Sequence, residues 1–317
     1  MDAVVLHAYG TPQFGTFDNP IQQMGTEMVD VTAAVLSNLD LLMASGQSYL
    51  KPALPSVAGI EGVGRLASGR RVYFYAPVSP YGSMAKQTLV ASLAREATQD
   101  FIEVPDGIDD AVAAVLGRSG GLVAWLPLEW RAQLVPGETV LVLGATGFVG
   151  QLAVQVAKIL GAGRVIAAGR NPDMLTRAKA LGADATVNLA VSDSPVASYR
   201  EAAQAGIDVI IDYVSGPQAE AALQAAAVGG RLVQVGAATV DEVTLSGPLI
   251  RNQSLTIFGY RSSQASFETR SAAYQRMCEL AASGKLIVPV ERMPLQQVEQ
   301  AWERQRAGTR QRLVLIP

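Results

Sequence analysis

The segment TVLVLGATGFVGQLAVQVAKILGAGRVIAAGR, residues 139–170, constrains the fold more than any other part of this chain. The apolar run from Thr139 to Leu143 predicts a buried parallel strand. Helical periodicity from Leu152 to Leu160 follows, and the run from Val165 to Ala168 predicts a second strand. The turn before the helix contains three glycines, Gly144, Gly147 and Gly150. This order predicts a βαβ unit that holds the pyrophosphate of a dinucleotide at the helix N-terminus, although the turn alone would also suit simple strand-to-helix packing.

The type of dinucleotide depends on the residues that end the second strand. An Asp or Glu there would bind the ribose hydroxyl of NAD, but the chain has Ala168, Gly169, Arg170 and Asn171. Because an arginine can bind a phosphate through paired hydrogen bonds, Arg170 favours NADPH, unless it only solvates the strand end. The predicted cofactor contacts of this unit are Gly144, Ala145, Thr146, Gly147, Phe148, Val149, Gly150, Gly169, Arg170 and Asn171.

Composition limits the class of protein. The chain has 317 residues, of which 49% are hydrophobic, and this is enough for two domains with large cores. The net charge of −3 argues against a nucleic-acid partner. A single cysteine, Cys278, fits a reducing compartment, and MDAVVLHAYG predicts a first strand rather than a signal peptide. We therefore expect a cytoplasmic enzyme that acts on a small molecule and does not cross a membrane.

The pattern of the chain changes twice. Residues before about Pro105 alternate short strand-like runs with turns, as in Glu27 to Leu36 and Met84 to Val90. Strands and helices then alternate to about Gly259, among them a predicted helix from Ala219 to Ala227. Helices and a closing strand follow. This order predicts an α/β chain in which a doubly wound nucleotide domain interrupts a β-rich domain.

Several segments have the order and spacing of one enzyme superfamily. They include AVVLHAYGTP, AAVLSNLDLLMASGQSY, AGIEGVG, PGETVLVLGATGFVGQLAVQVAKILGA, IDVIIDYVSG and PLQQVEQAWE, and they span nearly the whole chain. In this order the chain resembles the medium-chain dehydrogenase/reductase superfamily, and within it the zinc-free quinone oxidoreductase and enoyl reductase branch. The resemblance implies a parallel Rossmann sheet over residues 118–261, inserted in a GroES-like catalytic domain over residues 1–117 and 262–317. It also implies a homodimer joined through an edge strand, Leu255 to Phe258, unless the loop from Val240 to Leu249 covers that edge.

The resemblance also indicates whether a zinc site should be expected. Zinc-dependent relatives carry a cysteine and a histidine where this chain has Ser37 and Ile60. His7 lies in the predicted first strand and Cys278 in a late helix, so we expect no zinc site. Without a Lewis acid, reduction by hydride transfer from NADPH is favoured over alcohol oxidation.

Two residues are candidates for catalysis. Tyr49, in GQSYLKP, resembles the tyrosine acid of zinc-free enoyl thioester reductases, and its alternative role is to line the cleft. Asp40 would orient pocket groups, or cap a helix that begins at the next residue. Glu61 is expected to be a buried structural carboxylate, paired with Arg65 or Arg71.

Residues at two further strand ends complete the expected site. They are Gly236, Ala237, Gly259 and Tyr260. In the superfamily such positions contact nicotinamide and its ribose, although each also suits an ordinary strand-ending turn. The expected function is NADPH-dependent, zinc-free reduction of quinones or of activated C=C bonds in enones and enoyl compounds. The alternatives are a zinc-free alcohol or ketone oxidoreductase, and an NADPH-binding protein with little catalysis.

Overall fold

The computed structural model describes residues 1–47, 50–91, 100–238, 240 and 242–317. The chain divides into two compact units, one made of residues 1–122 and 265–317 and the other of residues 123–264. We call the first the β-rich unit and the second the α/β unit.

Strands and helices follow one another in the described chain with these bounds. The strands are β1 (Asp2–Leu6), β2 (Gln13–Thr16), β3 (Thr26–Leu36), β4 (Ser56–Val57), β5 (Glu61–Leu66), β6 (Arg71–Tyr75), β7 (Gln87–Ala91), β8 (Asp100–Glu103), β9 (Thr139–Leu143), β10 (Arg164–Gly169), β11 (Ala185–Asn188), β12 (Ile207–Asp212), β13 (Ala226–Gln234), β14 (Thr256–Gly259), β15 (Val290–Pro294) and β16 (Arg312–Ile316). The helices are α1 (Asn38–Ala44), α2 (Asp110–Val115), α3 (Gly121–Leu126), α4 (Phe148–Ile159), α5 (Pro172–Ala180), α6 (Pro195–Ala203), α7 (Pro217–Gln224), α8 (Gly247–Gln253), α9 (Phe267–Ala282) and α10 (Val298–Ala307).

The α/β unit is built on a parallel sheet of six strands in the order β11-β10-β9-β12-β13-β14. β9 lies inside it, with Val140 beside Val165 on one neighbour and beside Val209 on the other. Residues 140–143 are fully buried, which explains their unbroken apolar run, because parallel sheets are covered on both faces. The strand order is that of dinucleotide-binding domains, and the predicted doubly wound sheet is confirmed.

The β-rich unit contains two sheets. The larger has the order β15-β16-β3-β5-β6-β8, with β7 paired to β3, and its pairs are antiparallel except β15 with β16. The smaller has the order β2-β1-β4. Because β16 pairs with β3, the N-terminal and C-terminal segments of the chain form one unit.

Helices α9 and α10 bury large side chains in this unit. Trp302 on α10 is fully buried in a cluster with Leu6, Phe74 and Leu315. Cys278 on α9 is also fully buried, and burial raises the pKa of its thiol to about 12. Within the described ranges, none of the helices has the length and hydropathy needed to cross a membrane.

Among the predicted elements whose bounds differ in the structure are one helix and one strand. The helix predicted from Ala219 to Ala227 begins at Pro217 and ends at Gln224, and Ala226 already pairs with Ile207 in the sheet. Pairing in the sheet therefore overrides the helix propensity of these alanines. The strand predicted from Met84 to Val90 begins only at Gln87, because the carbonyl of Met84 accepts a hydrogen bond from Val4 of β1 at 2.8 Å and Ala85 bridges to β1.

Candidate active site

The glycine turn of the α/β unit lies between β9 and α4. Gly144 has a φ of +83°, a conformation that favours glycine. A Cβ at Gly150 would lie 2.3 Å from the carbonyl oxygen of Gly144, so the first turn of α4 packs directly on the loop. The N-cap of α4 is Gly147, which has no side chain to bind the amides of the first turn. These amides and the helix dipole form a site suited to a pyrophosphate.

The other predicted residues of the turn lie against the end of β10. The backbone amide of Ala145 donates to the carbonyl of Ala168 at 3.0 Å. A Cβ at Gly169 would lie 2.4 Å from Cγ2 of Thr146, so only glycine lets the threonine side chain pack there. Phe148 is buried and Val149 half-buried in the first turn of α4. The structure therefore brings the turn and the end of β10 together.

Arg170 and Asn171 follow β10 directly. Arg170 is exposed, and its guanidinium has no hydrogen bond or ion pair with any other described residue. The side chain of Asn171 is engaged, because Oδ1 accepts the amide of Met174 at 3.1 Å and so caps α5. Met174 itself is buried. Of the residues in this segment, Arg170 is the one that can bind a ribose phosphate with its charge.

The remaining predicted cofactor residues share one cavity. Gly236, Ala237, Gly259 and Tyr260 all line a cavity of about 480 Å³ in the α/β unit, at the carboxyl ends of β13 and β14. The amide of Tyr260 donates to the carbonyl of Gln234 at 2.9 Å, which fixes the end of β14 beside β13. Ligands of open α/β sheets bind at such strand ends.

Two residues beside the glycine turn were not among the predicted contacts. A Cβ at Gly144 would lie 3.0 Å from Cγ1 of Val214 and 3.3 Å from Cβ of Tyr213. Both residues follow β12, which ends at Asp212, and the carboxylate of Asp212 accepts the amides of Val214 and Ser215 at 2.9 Å. Their position after a parallel strand was the signal that could have identified them.

In the β-rich unit, Asp40 lies in the first turn of α1. The helix begins at Asn38 with Ser37 as its N-cap, so the expectation that Asp40 caps a helix starting at Leu41 is wrong. The carboxylate of Asp40 accepts the amide and the hydroxyl of Ser37, at 2.8 and 2.6 Å, and the amide of Ile60 at 3.2 Å. Burial raises the pKa of this carboxyl, and the hydrogen bonds oppose the rise. Asp40 therefore joins the start of α1 to the backbone just before β5.

Glu61 is fully buried at the start of β5. Its carboxylate accepts the hydroxyl of Tyr73 at 2.6 Å and the amide of Ser119 at 3.2 Å. Burial raises the pKa of Glu61, against these hydrogen bonds. The expected pairing with Arg65 or Arg71 is wrong. Arg65 lies four residues further along the same strand as Glu61, about 13 Å away. Arg71 on β6 lies directly opposite Arg65, so it is equally far from Glu61.

Two parts of the expected site stay predictions. Tyr49, the predicted proton donor, lies outside the described residues. For the metal, no group of three or more His, Cys, Asp or Glu side chains in the described part of the chain is placed to hold an ion. The hydroxyl of Ser37, at one of the two positions where the resemblance places zinc ligands, donates a hydrogen bond to Asp40 at 2.6 Å.

Comparison with known proteins identifies relatives along the whole chain. A family model described as zinc-binding dehydrogenase matches residues 149–283. Quinone oxidoreductase-like protein 2 of Rattus norvegicus is 30% identical over 241 residues, 73% of this chain and 66% of that protein. Quinone oxidoreductase of Sus scrofa is 27% identical over 318 residues, 96% of this chain and 93% of that protein. The chain spans only 12% of another relative, a mycocerosic acid synthase-like polyketide synthase of Mycobacterium tuberculosis.

A solved structure extends the likeness to the fold. The quinone oxidoreductase from Thermus thermophilus, described with its complex with NADPH, superposes with a TM-score of 0.78 at 28% identity and covers 100% of both chains. The parallel sheet of six strands and the antiparallel β-rich unit match that structure. The chain belongs to the medium-chain dehydrogenase/reductase superfamily, and its relatives there include quinone oxidoreductases and quinone oxidoreductase-like proteins.

Proposed function

We propose that this protein is an NADPH-dependent, zinc-free oxidoreductase that reduces quinones or activated C=C bonds, such as those of enones and enoyl compounds. The observation that carries the proposal is the glycine turn before α4 together with the unpaired Arg170 at the end of β10. The names of the relatives support the reaction class, and the NADPH complex of the Thermus thermophilus protein supports the cofactor. A cytoplasmic location is part of the proposal.

The cofactor would be held mainly by the backbone. The amides of the first turn of α4 would bind the pyrophosphate, and Arg170 would bind the ribose phosphate. The nicotinamide end would contact the backbones of Gly236, Ala237, Gly259 and Tyr260. Bound NADPH supplies a hydride to the substrate. Tyr49, or water, would then donate the proton to the other end of the reduced bond.

Reduction without a metal follows from the residues at the expected ligand positions. Ile60 has no metal-binding atom, and the hydroxyl of Ser37 is a poor ligand beside the thiolate and imidazole that Zn²⁺ prefers. Asp40 would therefore hold Ser37 and Ile60 in place instead of supporting metal ligands.

A spectrophotometric assay tests this function. NADPH oxidation should be seen with members of a panel of quinones, enones and enoyl thioesters, and chelators should leave the rate unchanged. Gly150→Ala should lose NADPH binding and turnover together, because its Cβ would meet the backbone of Gly144. Gly15→Ala is the matched control, since a Cβ there has nothing within 4 Å.

The other outcomes of this assay favour the alternatives. Turnover of alcohols or ketones alone would indicate the zinc-free alcohol or ketone oxidoreductase. Tight NADPH binding without turnover of any compound would indicate a nucleotide-binding protein. One zinc ion per chain in elemental analysis would contradict the metal-free part of the proposal.

A further inference from the structure

The outer edge of β14 presents a row of backbone groups to solvent. In the described chain this strand ends the six-stranded sheet and pairs only with β13. The amide of Tyr260 bonds inward to the carbonyl of Gln234 at 2.9 Å. Because the backbone groups of a strand alternate between its two sides, the amides and carbonyls of Leu255, Ile257 and Gly259 point outward.

Two of these outward groups already have partners within the chain. The amide of Leu255 donates to the carbonyl of Ile250 at 3.1 Å. The carbonyl of Gly259 accepts Nε of Arg131 at 2.9 Å. The groups that remain open in the described part of the chain are the carbonyl of Leu255, the amide and carbonyl of Ile257, and the amide of Gly259.

The open groups are complementary to a second copy of themselves. In an antiparallel pair, two residues of a hydrogen-bonded position exchange both of their N–H···O bonds. With a two-fold axis at Ile257, this residue lies opposite the partner's Ile257 and exchanges two bonds with it. Gly259 lies opposite the partner's Leu255, and its amide donates to that carbonyl.

This register accounts for every outward group of the strand. The bonds that it would leave unmade involve the amide of Leu255 and the carbonyl of Gly259, which are the groups with partners inside the chain. An axis at Thr256 or at Phe258 would use only half of the open groups. The backbone of β14 therefore favours a pairing centred on Ile257 over its neighbours.

The same strand forms a wall of the cavity of about 480 Å³ that contains the predicted nicotinamide contacts. Leu232 and Ile257 are in register and both line this cavity. The next residues along, Val233 and Phe258, do not, so the cavity lies on one face of the sheet and reaches its edge. The lining there is apolar and open to solvent, since Ile257 is 38% and Leu245 48% exposed.

Pairing about Ile257 would cover this open side of the cavity. Residues opposite each other in an antiparallel pair have their side chains on the same face, with Cβ atoms about 4.5–5.5 Å apart. The partner's Ile257 would therefore pack beside Ile257 on the face that holds the cavity, which removes apolar surface from water. The bond from the amide of Gly259 would also hold the backbone that the nicotinamide contacts.

We propose that a second copy of the chain pairs with β14 about a two-fold axis at Ile257 and closes the cofactor cavity, so that dimerisation and NADPH binding strengthen each other. In naming NADPH as the ligand of this cavity, the proposal rests on the proposed function. Such a coupling is reciprocal. If the dimer binds NADPH more tightly than the monomer, each bound NADPH stabilises the dimer by the same factor.

Cysteine cross-linking tests the register. Ile257→Cys should form a disulfide between two copies on mild oxidation, because the axis brings the two Cα atoms to about 5.5 Å, a distance that a disulfide spans. Thr256→Cys is the matched control. This neighbour is also exposed, but its two copies would lie about 8 Å apart, too far for a disulfide. The native Cys278 is fully buried and does not interfere.

Titration with NADPH tests the coupling. The wild-type protein should bind NADPH at least about fivefold more weakly when it is diluted until the dimer dissociates. The cross-linked Ile257→Cys dimer should keep its affinity on the same dilution. If the wild-type dimer does not dissociate, Ile257→Pro supplies the monomer by removing the central amide.

Two results would overturn the proposal. A disulfide in Thr256→Cys but not in Ile257→Cys would exclude the register. Equal affinity of monomer and dimer for NADPH would exclude the coupling, as would a dimer dissociation constant that NADPH leaves unchanged in analytical ultracentrifugation.

This proposal and the proposed function fail in different ways. A protein that cross-links at Ile257 and binds NADPH more tightly as a dimer, but reduces no compound with it, retains the coupling and loses the proposed function. A protein that reduces quinones or enones, with the same affinity for NADPH in both states, retains the function and loses the coupling.

Discussion

At the scale of single residues, Arg170 determines the choice of cofactor in our proposal. Its exposed guanidinium is unpaired among the described residues, so binding a phosphate breaks no existing ion pair. We expect wild-type protein to bind NADPH more tightly than NADH, and Arg170→Ala to remove most of the difference, about tenfold after solvent screening. Titration with both nucleotides measures this.

Lys179→Ala is the control for the change in total charge. Lys179 is an exposed cation on α5, the helix that follows Arg170. Its loss should leave the preference for NADPH unchanged. Equal affinities for NADPH and NADH in the wild-type protein would contradict the assignment of Arg170.

Tyr49 is the residue on which the proposed proton transfer depends. Tyr49→Phe should keep the affinity for NADPH and slow enone reduction by ~10²–10⁴-fold, the range for loss of a general acid. Quinone reduction in the same variant is an internal control, because the reduced oxygens can take protons from water. Enone reduction at the wild-type rate would show that Tyr49 only lines the site.

The buried carboxylate of Glu61 shows how much of a residue's environment could be predicted from the sequence. The sequence indicated that Glu61 is a buried acid in need of a partner. The structure supplies hydrogen bonds from Tyr73 and Ser119, and the arginine whose charge acts on Glu61 is the buried Arg312 rather than Arg65 or Arg71. Ser119 is 58 residues away along the chain. No local pattern encodes such a pairing, because it depends on how distant segments pack.

At the scale of elements, β14 is the strand through which two copies of the chain would pair. It forms one edge of the six-stranded sheet, and Ile257 is 38% exposed. The amide of Tyr260 bonds inward to Gln234, so the alternation of a strand places the amide of Ile257 on the open edge. An exposed edge with β-branched and aromatic residues is a template for a second copy.

We expect a homodimer joined through β14 across a two-fold axis. Ile257→Pro removes the outward amide and should convert the dimer to a monomer, whereas Ile257→Val keeps that amide and should remain dimeric. Light scattering at micromolar concentration measures both. A wild-type protein with the mass of a monomer would refute the pairing.

Elements with a strong local signal were the ones that the sequence located well. Strand β9 runs from Thr139 to Leu143 as predicted, because an unbroken apolar run is followed directly by the turn at Gly144. Helix α1 was placed three residues too late, since the cap at Ser37 and the carboxylate of Asp40 could each start a helix. The structure uses Ser37, whose amide and hydroxyl both donate to the carboxylate of Asp40.

At the scale of the whole molecule, the alternation of strands and helices was enough to predict the parallel sheet. A βαβ crossover has one preferred hand and short connections, so few arrangements remain. The β-rich unit was different. Its sheet pairs β16 with β3, which lie at opposite ends of the chain, and nothing in either strand identifies the other. The order of the elements predicted one interrupted β-rich domain and the resemblance to a known superfamily implied the same, but neither identified this pair of strands.

The burial of Cys278 has a consequence for the durability of such an enzyme. Quinones and enones are electrophiles that alkylate thiolates, so a reductase of these compounds is exposed to covalent damage by its own substrates. The chain has one cysteine, which is fully buried, and its thiol has a pKa raised to about 12. Almost none of it is thiolate at neutral pH, and the thiolate is the form that reacts. The fold thus leaves its sulfhydryl inert toward the compounds that we propose it reduces.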